Sequence, residues 1–153
     1  MSSQNSAVSA SLRSLVLMQK GQVLRTAKDV AHLELISLGV REGGELHSFF
    51  TEFQIGFFRS QTSDEELSDI CEPTPEIATG TSFVHDVWVL PQEFICITSV
   101  QGEGCYLYSN ITEAVYDFSL ADRVSFIENP QPRWGSFFEF MHWYLAPDVE
   151  NAR

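Results

Sequence analysis

Residues Glu93–Phe118 read EFICITSVQGEGCYLYSNITEAVYDF, and this stretch decides the fold. Three runs rich in Ile, Val, Phe and Tyr are separated by Gly102-Glu103-Gly104 and by a second turn at Asn110. β-branched and aromatic runs broken by such turn residues predict consecutive antiparallel strands. The two glycines do not form a G-x-G-x-x-G loop before a helix, because strand residues follow, so phosphate binding is not expected there. They are read as hairpin residues whose backbone freedom lets the strands turn, which leaves Glu103 as the functional candidate of the loop.

Outward from this core, DVWVL (Asp86–Leu90) and VSFIE (Val124–Glu128) have the same composition and extend the expectation to a meander of about five strands. Helical signals flank it. LRSLVLMQ, from Leu12, has the character of a short helix. TAKDVAHLELISLG offers Thr26 as N-cap and Gly39 as the residue just past the C-terminus, with Val30, Leu33 and Leu38 near one face. In GELHSFFTEFQIGFF, residues Leu46, Phe49, Phe50 and Phe53 recur at amphipathic spacing, and Gly56 can end the helix. Ser136 and Glu139 have the S-x-x-E spacing of a capping box before an aromatic-rich helix that Pro147 closes. Phe137, Phe140, Met141 and Tyr144 form its inner stripe, widened by Phe138 and Leu145. Helices before and after a block of strands indicate an α+β domain: N-terminal helices, a central antiparallel meander, and a C-terminal helix packed on the sheet. Residues 1–11 read as a tail, 12–148 as one domain and 149–153 as a second tail.

The stretch RSQTSDEELSDICEPTPEIATGTSFVHD is polar, acidic and interrupted by two prolines. It reads as an exposed loop with one helical turn at Asp64–Ile70. Its carboxylates Asp64, Glu65, Glu66, Asp69, Glu72 and Glu76 form the densest like-charge run of the chain. The whole sequence carries 21 acids against 9 bases, a formal net charge of −12. That balance disfavours nucleic acid and anionic membranes as partners, since both are recognised by clustered cations. It suits a basic protein partner, which the field of the acids would steer, although an acidic surface also serves solubility alone.

Catalytic signatures are not found in the sequence. His32, His47, His85 and His142 are scattered without metal-ligand spacing, and no G-x-S-x-G or phosphate-loop motif occurs. His85-Asp86, if placed on a strand, would point to opposite faces. A carboxylate pair for acid–base hydrolysis needs burial that a polar loop does not offer, and no calcium loop is present. Neither catalytic residues, cofactor nor metal is therefore expected. Cys71, Cys96 and Cys105 match no zinc or redox motif and read as reduced thiols of a cytoplasmic protein. The N-terminus lacks the pattern of a secretory signal, and Leu15–Met18 is too short for a membrane span.

Taken together, these motifs resemble the SUKH superfamily in its Smi/Knr-like branch. Leu38-Gly39 matches the family's first helix end, and Leu46, Phe49, Phe50 and Gly56 match its second helix. EFICITS, Gly102-Glu103-Gly104, CYLYS, Asn110 and Val115-Tyr116 follow its strand–turn–strand order, and SFFEFMHWYL its closing helix. There are departures: residues 41–45 stand where the family has Leu-Pro, Gln54-Ile55-Gly56 replaces Asn-Gly-Gly, and Glu103 replaces an aspartate. The resemblance implies a non-enzymatic immunity protein that neutralises a cognate bacterial polymorphic toxin, commonly a nuclease; on that expectation the acidic run Asp64, Glu65, Glu66, Asp69, Glu72 and Glu76 is read as the electrostatic contact to a basic toxin domain, with Glu103 as a second contact. A regulatory interaction module without a toxin partner, a small hydrolase built on an acid pair, and a homodimeric state stay open at this point.

Overall fold

The sheet is sealed on both faces. The computed structural model describes residues 7–55, 58, 60–71, 74–100 and 102–147. Strands β1 (Phe94–Cys96), β2 (Gly104–Ser109) and β3 (Val115–Ser119) pair antiparallel in the order β1-β2-β3. The registers Ile95↔Tyr108 and Leu107↔Tyr116 fix which side chains share a face. Because side chains alternate across a strand, Ile95, Ile97, Tyr106, Tyr108 and Val115 enter one buried cluster. Phe94, Cys96, Cys105, Leu107, Tyr116 and Phe118 enter another. Near-continuous burial along β2 is what a centre strand covered on both sides requires.

The first face is covered by α1 (Ala10–Leu17), α2 (Lys28–Ser37), α3 (Glu45–Glu52) and α6 (Phe137–Leu145). The expected stripes of α3 and α6 are buried: Leu46, Phe49 and Phe50 from one, and Phe137, Phe140, Met141, Tyr144 and Leu145 from the other. Phe137 stands against both Phe49 and Phe50, with ring centroids 5.5 and 6.0 Å apart. Ser136 caps α6 by accepting the Glu139 N–H at 3.2 Å. Ser136→Ala is expected to cost about 1 kcal/mol, read as a lower urea midpoint at unchanged slope. Gly39 closes α2 with φ +83°. The Gly39 and Val40 amides donate to the Ile36 and Leu35 carbonyls, the two bonds of a Schellman motif.

The second face is covered by α4 (Glu76–Asp86) and α5 (Arg123–Glu128). Both correct the sequence expectation, and the sheet has three strands where about five were expected. Val124–Glu128 is helical because Phe126 packs on Phe94, Tyr116 and Phe118, with centroids 5.0–5.9 Å apart. Asp86–Leu90 is no strand: it leaves the end of α4 and drops Trp88 between Phe83 and Phe118. Residues 64–70 form no helical turn; Leu67 makes an antiparallel bridge to Thr98 beside β1.

Further corrections concern the helix ends and faces. Ala27, not Thr26, precedes α2, and this helix buries Ala31 and Leu35 while Val30, Leu33 and Ile36 face solvent. Ser9 caps α1 and Val8 is buried, so folded structure includes residues assigned to the N-terminal tail. His85 lies on α4, not on a strand, and its Nε2 is 2.8 Å from the Phe94 carbonyl. Gly56, expected to end α3, and Glu72 lie outside the described residues. The helix ends at Glu52, where Phe53 turns extended.

Candidate functional site

The acidic segment is an ordered wall. Ser60 Oγ accepts the Thr62 and Ser63 amides, each at 3.1 Å, which turns the chain into the run that follows. Ser63 Oγ then accepts the Glu65 amide and lies 3.1 Å from the Tyr106 hydroxyl. Tyr144, from α6, donates its hydroxyl to the Glu65 carbonyl at 2.6 Å. Burial first of all pushes this phenol up to about 12, so it stays a proton donor at neutral pH. Beyond it, the Ser68 amide donates to the Ile97 carbonyl and the Ser99 amide to the Glu66 carbonyl. The backbone is thus held at each step, and the carboxylates are left to project.

Asp69 ties this wall to the core. Its Oδ1 lies 2.7 Å from Arg25, with the two side chains 1% and 0% exposed. The same carboxylate accepts the Ile55 and Cys71 amides. Arg25 also donates to the carbonyls of Phe50 and Phe53. The Ile77 amide donates to the Asp69 carbonyl, which brings in the first turn of α4. Asp69 therefore cannot meet a partner: its negative charge is spent on Arg25 and on backbone amides, a correction to its reading as a surface contact.

Between this wall, α4, residues 98–100 and Gly102 lies a cleft of about 880 Å³. Asp64, Glu65 and Glu66 line it from the wall and Glu76 from the start of α4. Ile55, Phe58, Leu67, Phe83 and Val100 give it apolar walls. Gly102 lines it, and Glu103, the next residue in the chain, is exposed. The structure thus gathers four of the expected residues in one concavity, places a fifth beside it, and removes Asp69.

The hairpin glycines are explained by backbone geometry. Gly102 has φ +63°, and a Cβ on Gly104 would stand 2.9 Å from the Phe118 carbonyl oxygen. Sequence reasoning missed the apolar lining. Phe83 and Val100 lie outside the Asp64–Glu66 run, and the packing of α4 on β1 brings them to the cleft beside it.

None of the ion pairs among the described residues engages the cleft carboxylates. Glu65 is half-buried, and its Oε1 is enclosed without a hydrogen-bond partner. Burial first, then Asp117 and Asp64, raises its carboxyl above the usual 4.5. A cation placed in the cleft offsets these causes and returns the group towards its ordinary value. Binding of a cation is therefore linked to proton release from Glu65. The expected result is that affinity for a basic ligand falls on acidification already above pH 4.5. Glu65→Gln removes that part of the pH dependence in a titration.

The buried thiols Cys96 and Cys105 are unbridged. The hydrogen bond between them, then burial, pushes the Cys105 thiol up, away from the reactive thiolate. Among the described residues no three His, Cys, Asp or Glu side chains gather to hold a metal ion, and no helix is long and apolar enough to cross a membrane. Comparison of the chain with protein-family models, with curated proteins and with solved structures yields no match.

Proposed function

We propose that the protein is a cytoplasmic, SUKH-type immunity protein that binds a basic toxin domain through its acidic cleft and neutralises it. The observation that carries this reading is the convergence of Asp64, Glu65, Glu66 and Glu76 on one apolar-walled concavity whose carboxylates have no ion-pair partner among the described residues. A wall whose backbone is fixed before binding costs less to order, and the field of its carboxylates raises the encounter rate with a cationic surface. Phe58 and Phe83 supply the apolar area beside them that a protein contact needs for affinity. If the toxin is a nuclease, the cationic groups that hold its nucleic acid are the groups this cleft would occupy.

The test is co-expression with a toxin-like reading frame adjacent to this gene. Survival together with co-purification supports immunity. Death of the cells despite expression of both chains overturns it. The second reading, an interaction module with a regulatory role, rests on the same cleft and is favoured if no toxin frame adjoins the gene while a basic cellular protein is captured in a Glu65-dependent way.

A further inference from the structure

Two imidazoles meet between α2 and α3. His32 Nδ1 and His47 Nε2 are 2.9 Å apart, and the rings are edge-to-face with centroids separated by 5.1 Å. The other nitrogen of His47 is also engaged, because the Gly43 amide donates to Nδ1 at 3.2 Å. A ring nitrogen that accepts a hydrogen bond carries no proton. Neutral His47 must therefore hold its proton on Nε2 and donate it to His32 Nδ1, which places the proton of His32 on its own Nε2. The relay runs in one direction, from the Gly43 amide through His47 to His32.

A further proton has no harmless place in this relay. On His32 Nδ1 it faces the His47 N–H. If His47 accepts that bond instead, its own proton moves to Nδ1 and faces the Gly43 amide. Either way one hydrogen bond becomes a donor–donor contact. Along its length α2 buries only Ala31 and Leu35 and turns Val30, Leu33 and Ile36 to solvent, while its C-terminal end is held by Asn110 Nδ2 donating to the Leu38 carbonyl.

We propose that the His32–His47 pair is a pH-sensitive latch that holds α2 on α3 when both rings are neutral and releases it when one is protonated. His47 shares a surface cavity with Arg13 of α1, Lys28 of α2, Glu42 of the connection and Glu52 of α3, and Arg13 and Glu52 pair with each other. Burial first and His32 second hold the His47 imidazole below its ordinary 6.5, and the opposing pull of Glu42 is smaller. A histidine whose folded value is depressed contributes stability above the unfolded value. That stability is lost as pH falls through the folded value. The latch is thus closed at neutral pH and opens below the ordinary histidine range.

Amide hydrogen exchange of the full chain, corrected for the intrinsic pH dependence, tests this. Between about pH 8 and about pH 5, protection of α2 is expected to fall by about tenfold or more relative to α6. In the His32→Gln/His47→Gln variant that differential is expected to vanish. Equal protection of α2 at both pH values, or the same differential in the double variant, overturns the proposal. Should the double variant not fold, His32→Gln alone decides, since its amide oxygen still accepts from His47 Nε2 but does not titrate: a weakened differential supports the latch and an unchanged one overturns it. Nitrogen chemical shifts at about pH 8 give an independent reading. The Nε2–H tautomer of His47 is expected, and the Nδ1–H tautomer contradicts the relay.

Discussion

Asp69→Ala is expected to lower the stability of the protein by about 3–5 kcal/mol, the loss that follows when one partner of a buried ion pair is removed. Arg25 is fully buried and would be left with the carbonyls of Phe50 and Phe53 and the Cys71 sulfur in place of a carboxylate. The Ile55 and Cys71 amides would lose their acceptor at the same time. A buried donor left unsatisfied costs about 1–3 kcal/mol by itself. For that reason the double variant Arg25→Met/Asp69→Leu is not expected to recover wild-type stability, although apolar replacement of a buried pair is often neutral elsewhere. Chemical denaturation of the single and double variants checks this. A double variant as stable as the wild type would mean that the pair only neutralises itself and that the backbone groups find other partners.

The same pair explains how the sequence could mislead. Asp69 lies in the most acidic stretch, and nothing local separates it from Asp64 or Glu66. What separates it is Arg25, 44 residues earlier, a long-range partner that no periodicity reveals. The turn-rich composition of residues 73–82 likewise hides α4. Pro75 stands just before its first turn, where a missing N–H is tolerated. Gly80 lies where a Cβ would be 3.4 Å from the Cys96 sulfur, so it reflects close approach of helix to strand and not a turn. Ile77, Thr81 and Val84 do carry a helical spacing and are the buried residues of α4.

Other parts were legible because their signals are local. α3 and α6 showed amphipathic stripes that the structure buries, and the Glu93–Phe118 stretch showed the strands and both turns of the meander. The short runs Asp86–Leu90 and Val124–Glu128 look equally β-like, and only tertiary contacts through Trp88 and Phe126 decide against strands. For the candidate site, the acids could be named from composition. The cleft that gathers them could not, since much of its lining comes from α4 and from residues 98–100 and Gly102.

The second large effect concerns binding. Asp64→Asn/Glu65→Gln/Glu66→Gln keeps the shape of the wall, because the contacts that hold residues 60–68 go through backbone groups, Ser60, Ser63 and Tyr144 rather than through these carboxylates. Its thermal unfolding is expected to match that of the wild type. Exposed ion pairs contribute up to about 1 kcal/mol each. Glu65, enclosed beside apolar walls, sits at the upper end of that range. With each of the three taken at the top of that range, their joint loss amounts to about 3 kcal/mol, roughly a hundredfold in affinity. Most of the loss from exposed Asp64 and Glu66 should appear in the association rate at low salt, and that from Glu65 in dissociation.

The most direct measurement of the proposed function is therefore a calorimetric titration of a purified basic toxin domain, encoded by a toxin-like frame adjacent to the gene, into the wild-type protein and into the triple variant, at low and at high salt. The account predicts tight wild-type binding that weakens with salt, and for the triple variant a loss of about a hundredfold together with a flatter salt dependence. Equal affinity of the two proteins at both salt concentrations would contradict it and move the interface away from the acidic cleft.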